Sequence, residues 1–165
     1  MILDNVDDEL LNFLRNAKKV VICGVGNELK SDDRIGLLIA EALQKEVNSP
    51  KIISFICGSA PEGFSGKILK EKPTHFVIID AAQFGYPPGS IGLFDPEEIE
   101  GIVTSTHSLP LSLMCKYLHM ELKGEINIKV VGIQIKNLEL GDRITPEVLA
   151  AKDKIVSIFK MALEA

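Results

Sequence analysis

The sequence predicts an α/β fold with three layers, α/β/α, built on a mostly parallel, twisted sheet of about five strands. Short apolar runs rich in Val and Ile alternate with segments in which apolar residues recur at helical spacing. The runs at 18–25, 51–57 and 75–80 are apolar at almost every position, as strands are when helices cover both faces of a parallel sheet. An extra N-terminal helix is expected before the first strand.

Each element is assigned from its periodicity and its flanking residues. The helix over 61–71 contains two glycines, which weaken it. Pro110 is placed in the first turn of its helix, where the N–H that proline lacks is not needed. Thr145 is placed as the N-cap of the final helix, with Pro146 at the first helical position. The predicted strands are 18–25, 51–57, 75–80, 90–95 and 126–135, and the predicted helices are 3–17, 32–47, 61–71, 108–120 and 145–165.

Length and composition set the expected domain organisation. The chain has 165 residues, of which 46% are hydrophobic and 25% charged, so it can bury a substantial core. We expect a single α/β domain over 1–165, with 1–17 as a helical extension and 18–165 as the core. No internal repeat or low-complexity linker divides the sequence. We also expect a monomer, because the sequence shows no obvious surplus apolar face.

Charge and cysteine content argue against several classes of function. A net charge of −5 without a basic block makes a nucleic-acid partner unexpected. No run of 18 apolar residues predicts a membrane span, and the acidic N-terminus does not resemble a secretory signal. Cys23, Cys57 and Cys115 are too few and too far apart for a disulfide framework or a four-cysteine zinc site. We interpret them as small buried residues and expect a cytoplasmic protein.

A glycine-containing loop, GVGNELKSDD, follows the first predicted strand. A dinucleotide-binding fingerprint would need a third glycine where Leu29 stands, and no GK[ST] phosphate loop is present. The adjacent carboxylates of Asp32 and Asp33 also oppose a phosphate ligand. They can instead cap the helix that follows or contribute to a site. Gly26 and Asn27 are expected to let the chain bend off the strand.

Other chemically active residues follow later strands. Asp80 ends the third strand, where a carboxylate is costly to bury unless it is hydrogen-bonded or bound to a cation. His107 directly precedes a predicted helix. Gly58, after the second strand, is either part of a turn or backbone that lines a cleft. His75 and His119 are interpreted as structural residues.

We expect Asp33, Asp80 and His107 to meet at one edge of the sheet, because open α/β sheets gather the segments that follow their strands at that edge. Two carboxylates and an imidazole can bind a borderline divalent ion and leave coordination positions open. Such an ion can polarise a carbonyl or lower the pKa of a bound water. Without a metal, two close carboxylates can act as general acid and base. The residues by themselves leave both possibilities open.

Five blocks occur in the order GVGNELKSDDRIG, GSAPE, VIIDAAQFGYPPG, STHSLPL and GIQ. Together they resemble the hydrogenase maturation endopeptidases, and the resemblance extends from about residue 18 to the final helix. It implies a twisted sheet flanked by helices. It also implies an aspartic-type endopeptidase that makes one cut, removing a C-terminal extension from the large-subunit precursor of a nickel–iron hydrogenase after nickel insertion. That precursor is the implied partner.

The resemblance implies that Asp33, Asp80 and His107 are metal-binding positions and that the metal is nickel carried by the precursor. Asp32 would cap a helix or support the site. We hypothesise that Asp33 or Asp80 activates water, while the metal or His107 orients the scissile region. The residues expected to shape the substrate-binding loops are Gly26, Asn27 and Gly58.

Two features depart from the family pattern. About 17 residues precede the first strand, and we interpret them as a helix that covers a sheet edge. After GIQ the chain continues IKNLELGDRI, without the proline expected there, so a role of this loop in choosing the hydrogenase stays open. Functions from other classes are a nucleotide-binding module, a non-enzymatic nickel-binding maturation chaperone and a zinc peptidase that holds its own metal.

Overall fold

The structure is a computed structural model that describes residues 5–103 and 105–164, apart from the side chains at 105 and 106. Within these ranges five strands form one sheet, flanked by six α-helices. The strands are β1 (Val20–Val25), β2 (Ile52–Gly58), β3 (His75–Ala82), β4 (Ile91–Phe94) and β5 (Asn127–Gln134). The helices are α1 (Val6–Leu14), α2 (Ile35–Glu46), α3 (Ser65–Lys70), α4 (Ile99–Ile102), α5 (Ser105–Glu121) and α6 (Pro146–Leu163).

The sheet has the strand order β2-β1-β3-β5-β4. The first four strands in that order are parallel, and β4 pairs antiparallel with β5. Buried apolar side chains of α1, α2 and α6 cover one face, and those of α3, α4 and α5 cover the other. Because both faces are covered, β1 and β3 are buried at every position. The predicted α/β/α fold with a mostly parallel sheet is confirmed.

The first residues of α5 differ from the prediction. The helix begins at Ser105, about one turn before the predicted start at 108, so Pro110 lies inside it. His107 therefore belongs to the first turn of α5 and does not precede the helix. The φ of proline is compatible with a helix, so a helix can extend on the N-terminal side of Pro110. Taking the proline as a marker of the first turn made the predicted helix too short.

Helix α1 lies against α6 and the edge strand β4. Its buried side chains Val6, Leu10 and Leu14 join the same apolar cluster as the inner face of α6. An exposed ion pair of 3.1 Å joins Asp7 to Lys154 of α6. The predicted helix over 3–17 is thus present as Val6–Leu14, and residues 1–4 lie outside the described ranges. In the described part of the chain, no helix combines the length and apolarity needed to cross a membrane.

The chain returns to the carboxyl edge of the parallel strands before α5 begins. Strand β4 runs away from that edge, because it is antiparallel to β5. The 3₁₀ turn Pro96–Glu98 and α4 then lead back, and the carbonyl of Ile102 accepts a 2.7 Å hydrogen bond from the N–H of Gln83, just beyond β3. His107 follows five residues after Ile102. Because β4 ends at the opposite edge of the sheet, α4 is needed to bring the chain back and place His107 beside the end of β3.

Candidate active site

The loop between β1 and α2 packs closely against its own next turn. A Cβ at Gly26 would overlap the carbonyl oxygen of Asp33, and a Cβ at Gly36 would overlap the carbonyl oxygens of Val25 and Ile79. Neither Gly26 nor Gly36 has a positive φ. Glycine is therefore required for close approach of backbone to backbone, and not for an unusual turn. This contact holds the loop against the strands that carry the site.

Asn27 shapes the same loop through its side chain and its backbone. Its Oδ1 accepts a 2.8 Å hydrogen bond from the N–H of Leu29, as in an Asx-turn. Its own N–H donates to Oδ2 of Asp33 over 2.9 Å. Asp33 belongs to the 3₁₀ turn Ser31–Arg34 that leads into α2. Asn27 thus bends the loop and holds one oxygen of the Asp33 carboxylate.

The structure brings Asp33, Asp80 and His107 together at the carboxyl edge of the sheet. One potential ligand atom from each residue lies within 4.8 Å of the others. Asp80 is fully buried near the end of β3, and Asp33 and His107 are each 4% exposed. The three side chains come from separate segments of the chain. The parallel strands β1 and β3 bring Asp33 and Asp80 to the same edge, and α4 leads the chain back to that edge before His107.

Each of the two carboxylates has one oxygen held and one oxygen free. Asp80 Oδ2 lies 3.0 Å from Nδ1 of His107, and Asp33 Oδ2 accepts from Asn27. The Oδ1 atoms of Asp33 and Asp80 are buried and have no hydrogen-bond partner in the described part of the chain. A buried carboxylate oxygen without a partner is costly, and a cation would satisfy both at once. Two carboxylate oxygens and an imidazole form a donor set that suits a borderline divalent ion such as nickel.

Burial raises the pKa of Asp80 to about 6, although its hydrogen bond and ion pair with His107 act in the opposite direction. Burial also raises the pKa of Asp33 above its ordinary value, against the opposing effects of His107, the Asn27 N–H and Lys30. For His107 burial lowers the pKa, but the hydrogen bond and charge of Asp80 outweigh it and the pKa is raised. The site can therefore hold or release protons near neutral pH.

Asp32, although adjacent to Asp33, has a different role. Its Oδ2 accepts hydrogen bonds of 2.9 Å from the N–H groups of both Lys136 and Asn137. Its Oδ1 accepts from the N–H of Thr145 over 2.7 Å, and the Thr145 hydroxyl donates to Oδ2 over 2.8 Å. Burial alone would raise the pKa of Asp32, but these four donors lower it.

Of the two roles expected for Asp32, capping the following helix or supporting the site, the capping role is wrong. The N-cap of α2 is Arg34, and no side chain caps that helix. Asp32 is turned instead to the loop between β5 and α6, where three backbone N–H groups would otherwise lack partners. Thr145 is the N-cap residue of α6 as predicted, but its side chain makes no capping bond, and its hydroxyl donates to Asp32.

Three other residues singled out in the sequence are Gly58, which contacts the loop after β1, and the two remaining histidines, His75 and His119. Gly58 adopts the left-handed conformation, with φ of 67°, and its carbonyl accepts a hydrogen bond from the Gly26 N–H. His75 is buried, with Nδ1 at 2.9 Å from the Thr74 hydroxyl, whereas His119 is exposed on α5. Neither of these two histidines joins the Asp33–Asp80–His107 group.

The cysteines are free and buried, in agreement with the sequence-based expectation. The Sγ atoms of Cys23 and Cys57 lie 3.0 Å apart on neighbouring strands. Burial raises the pKa of the Cys23 and Cys115 thiols, the latter to about 12, so neither is a ready nucleophile.

Sequence reasoning missed the role of Gln134, which is buried at the end of β5. Its Oε1 accepts from the N–H of Phe84 over 2.8 Å, and its Nε2 donates to Oε1 of Gln83 over 2.7 Å. These bonds fix the turn after β3, two residues beyond the strand that carries Asp80. The available signal was a glutamine after a long apolar strand, where a buried amide needs partners.

Comparison with known proteins agrees with this fold. Residues 37–163 match the family model described as hydrogenase maturation protease. A Methanocaldococcus jannaschii protein provisionally named a hydrogenase maturation protease is 37% identical over 155 residues, which cover 90% of each chain. The hydrogenase 3 maturation protease of Escherichia coli is 38% identical over 119 residues, covering 70% of this chain and 71% of that one.

A solved structure of the [NiFe] hydrogenase maturation protease HycI from Thermococcus kodakarensis superimposes with a TM-score of 0.86 at 29% identity. The match covers 95% of this chain and 99% of that chain. The structural similarity therefore extends over nearly the whole chain. On its sequence and its fold, the chain belongs to the hydrogenase maturation protease family.

Proposed function

We propose that this protein is an aspartic-type endopeptidase that removes the C-terminal extension of a nickel–iron hydrogenase large-subunit precursor after nickel insertion. The observation that carries the proposal is the group of Asp33, Asp80 and His107, with two buried carboxylate oxygens that lack partners in the described part of the chain. Family membership supports peptidase activity and a hydrogenase client.

The nickel ion is supplied by the precursor and acts as a mark of completed loading. Two oxygens and one nitrogen leave coordination positions open, and ligands of the precursor can fill them. When the precursor presents its nickel, the free oxygens of Asp33 and Asp80 gain the cation they lack. Binding energy is then available only for a loaded precursor, which makes nickel insertion a condition for cleavage.

In the cleavage step, the Asp33 carboxylate accepts a proton from a water molecule as the water oxygen attacks the scissile carbonyl carbon. Asp33 is favoured as the base because Asp80 is more deeply buried and already bonded to His107. The Asp80–His107 pair donates a proton to the leaving nitrogen as the C–N bond breaks. In the absence of the cation, burial raises the pKa of both carboxyl groups above the ordinary value, that of Asp80 to about 6.

The test is incubation of the protein with nickel-loaded and nickel-free large-subunit precursors, followed by mass measurement of the precursor's C-terminus. Cleavage of the loaded form alone is expected, and cleavage of both forms or of neither contradicts the proposal. Treating the protein with a chelator before adding loaded precursor should leave activity intact. Loss of activity after that treatment would favour a zinc peptidase that holds its own metal.

A non-enzymatic nickel-binding chaperone is the second candidate, because the same three side chains could hold an ion without any cleavage. It differs in predicting tight nickel binding by the isolated protein and no change in precursor mass. The endopeptidase predicts weak nickel binding by the isolated protein, since part of the coordination shell belongs to the precursor.

A further inference from the structure

We propose that an apolar ridge, formed by Leu29, Leu138 and Leu140, docks the large-subunit precursor next to its nickel and helps to select the client. The inference rests on the proposed function, because it names the surface through which the substrate of that site is held. The three leucines are 64%, 39% and 79% exposed. Leucines exposed to this degree bury their apolar area only when another surface covers them.

Hydrogen bonds join the two loops that carry the ridge. The carbonyl of Leu29 accepts a 2.9 Å hydrogen bond from the N–H of Gly141, the residue after the last ridge leucine. The Ser31 N–H donates to the carbonyl of Gly141 over 3.0 Å, and the Ser31 hydroxyl donates to the carbonyl of Glu139 over 2.7 Å. The Asp32 carboxylate adds the bonds described above. The two loops therefore form one hydrogen-bonded unit that carries all three leucines.

The loops that carry the ridge are preorganised and are joined to the candidate active site through Asn27. Ser31 adopts a left-handed conformation, with φ of 42°, that a non-glycine residue takes only when its surroundings hold it. Leu29 lies four residues before Asp33, and Asn27 bonds to both. A fixed surface loses little conformational entropy on binding, so its apolar burial contributes more fully to affinity.

The occupant is the precursor surface around its metal centre. A protein that brings a cation to Asp33 must approach the loop that carries Leu29, and it then meets Leu140 as well. The acidic pair receives the cation, while the uncharged ridge suits apolar side chains beside it. Recognition at two adjacent points would let related proteases share the metal site and differ in the ridge.

A matched control lies at the opposite edge of the molecule. Met161, on the last part of α6, is 65% exposed, almost the same as Leu29. The nearby Glu164 accepts a hydrogen bond from the N–H of Asn48, which precedes β2 and so marks the amino edge of the sheet. Met161→Ser therefore removes a comparable exposed apolar side chain far from the site.

The experiment measures cleavage of a nickel-loaded large-subunit precursor by the full-length protein and by Leu29→Ser, Leu140→Ser and the double variant. For the double variant we expect KM to rise about tenfold or more, with kcat within about twofold and Tm unchanged. Met161→Ser should leave KM and kcat unchanged. An unchanged KM in the double variant, or an equal rise with Met161→Ser, overturns the ridge as a docking surface.

Failure of the proposed function is recognised separately. If the unaltered protein cleaves no loaded precursor, the endopeptidase proposal fails, and the ridge is judged by binding to immobilised nickel-loaded precursor. Weaker binding by the double variant than by Met161→Ser supports the ridge. Equal binding by both, or no binding by the unaltered protein, overturns it.

Discussion

Two adjacent aspartates, Asp32 and Asp33, share a loop and near-complete burial, yet their surroundings differ in every other respect. Asp32 accepts four hydrogen bonds from the loop between β5 and α6, and these lower its pKa. Asp33 has one oxygen held by Asn27 and one buried oxygen without a partner, and burial raises its pKa. A buried carboxylate whose oxygens are all hydrogen-bonded stabilises the fold. A buried carboxylate oxygen without a partner costs stability, and a ligand that binds it can recover that free energy.

The largest effect is expected for catalysis. Asp33→Asn, Asp80→Asn and His107→Ala should each reduce cleavage of a nickel-loaded precursor at least about 1000-fold, because each removes a charge or proton carrier at the site. Single-turnover cleavage followed by mass spectrometry measures the effect. His119→Ala, on the exposed side of α5, is the control and should cleave normally. Near-normal cleavage by Asp33→Asn would contradict the catalytic role assigned to Asp33 in its comparison with Asp32.

The next effect concerns stability and uses the same substitution at both aspartates. Asp32→Asn should lower the free energy of unfolding by about 3 kcal/mol, because an amide NH₂ would face backbone N–H donors that now have a carboxylate acceptor. For a chain of this length that is a fall in Tm of roughly 6–12 °C. Asp33→Asn should leave Tm unchanged or raise it, since it removes a buried charge. Equal losses of Tm would show that the two residues do not differ as described.

The pH dependence of stability should reveal the unsatisfied site. The folded-state pKa of Asp80, about 6, lies above its ordinary value of 3.8, so the folded protein binds this proton more tightly than the unfolded chain does. The protonated Asp80 carboxyl group therefore contributes its full stabilisation of the fold at about pH 4 and below, and this contribution is lost as the pH rises through about 6. The raised pKa of His107 acts with the same sign. The expected loss from pH 4 to 7 is on the order of 2–3 kcal/mol.

Thermal unfolding of the unaltered protein and of Asp80→Asn across this pH range tests the assignment. The variant should show a much flatter dependence, because its amide does not titrate. Asp32 has the opposite sign, since its lowered pKa gives stability that is lost only as pH falls below about 4. A dependence as steep in Asp80→Asn as in the unaltered protein would assign the titration to other groups.

The smallest effect is expected at the loop residue that holds Asp33. Asn27→Ala removes the 2.8 Å side-chain bond to the Leu29 N–H but keeps the backbone N–H that donates to Asp33. We expect a loss of about 0.5–1 kcal/mol, or roughly 1–4 °C in Tm, and cleavage within a few-fold of normal. A loss as large as that of Asp32→Asn would mean that the Asx-turn at Asn27 stabilises the loop as much as the hydrogen bonds that Asp32 accepts.

The sequence was sufficient for the sheet because its strands carry a strong local signal. All five predicted strands are present with boundaries within two residues, since buried parallel strands are continuous apolar runs bounded by turns. Asp33 and Asp80 could be grouped because they lie at or just after the ends of parallel strands, which the topology gathers at one edge. His107 joins them for a different reason, since it follows the antiparallel β4 and α4 leads the chain back to that edge. The start of α5 was missed because a proline restricts, but does not prohibit, a helix on its N-terminal side.

The sequence by itself determined the fold class, the three residues that meet at the sheet edge and the family that their motifs resemble. The resemblance already assigned Asp33, and not Asp32, to the metal-binding positions. Only the tertiary structure gave the physical reason, because the role of Asp32 depends on Lys136, Asn137 and Thr145, more than 100 residues away in the chain. Local sequence shows that a carboxylate is present, but its energy depends on which donors surround it after folding. For the opening loop, tertiary contacts decide which aspartate completes the fold and which keeps an oxygen free for a cation.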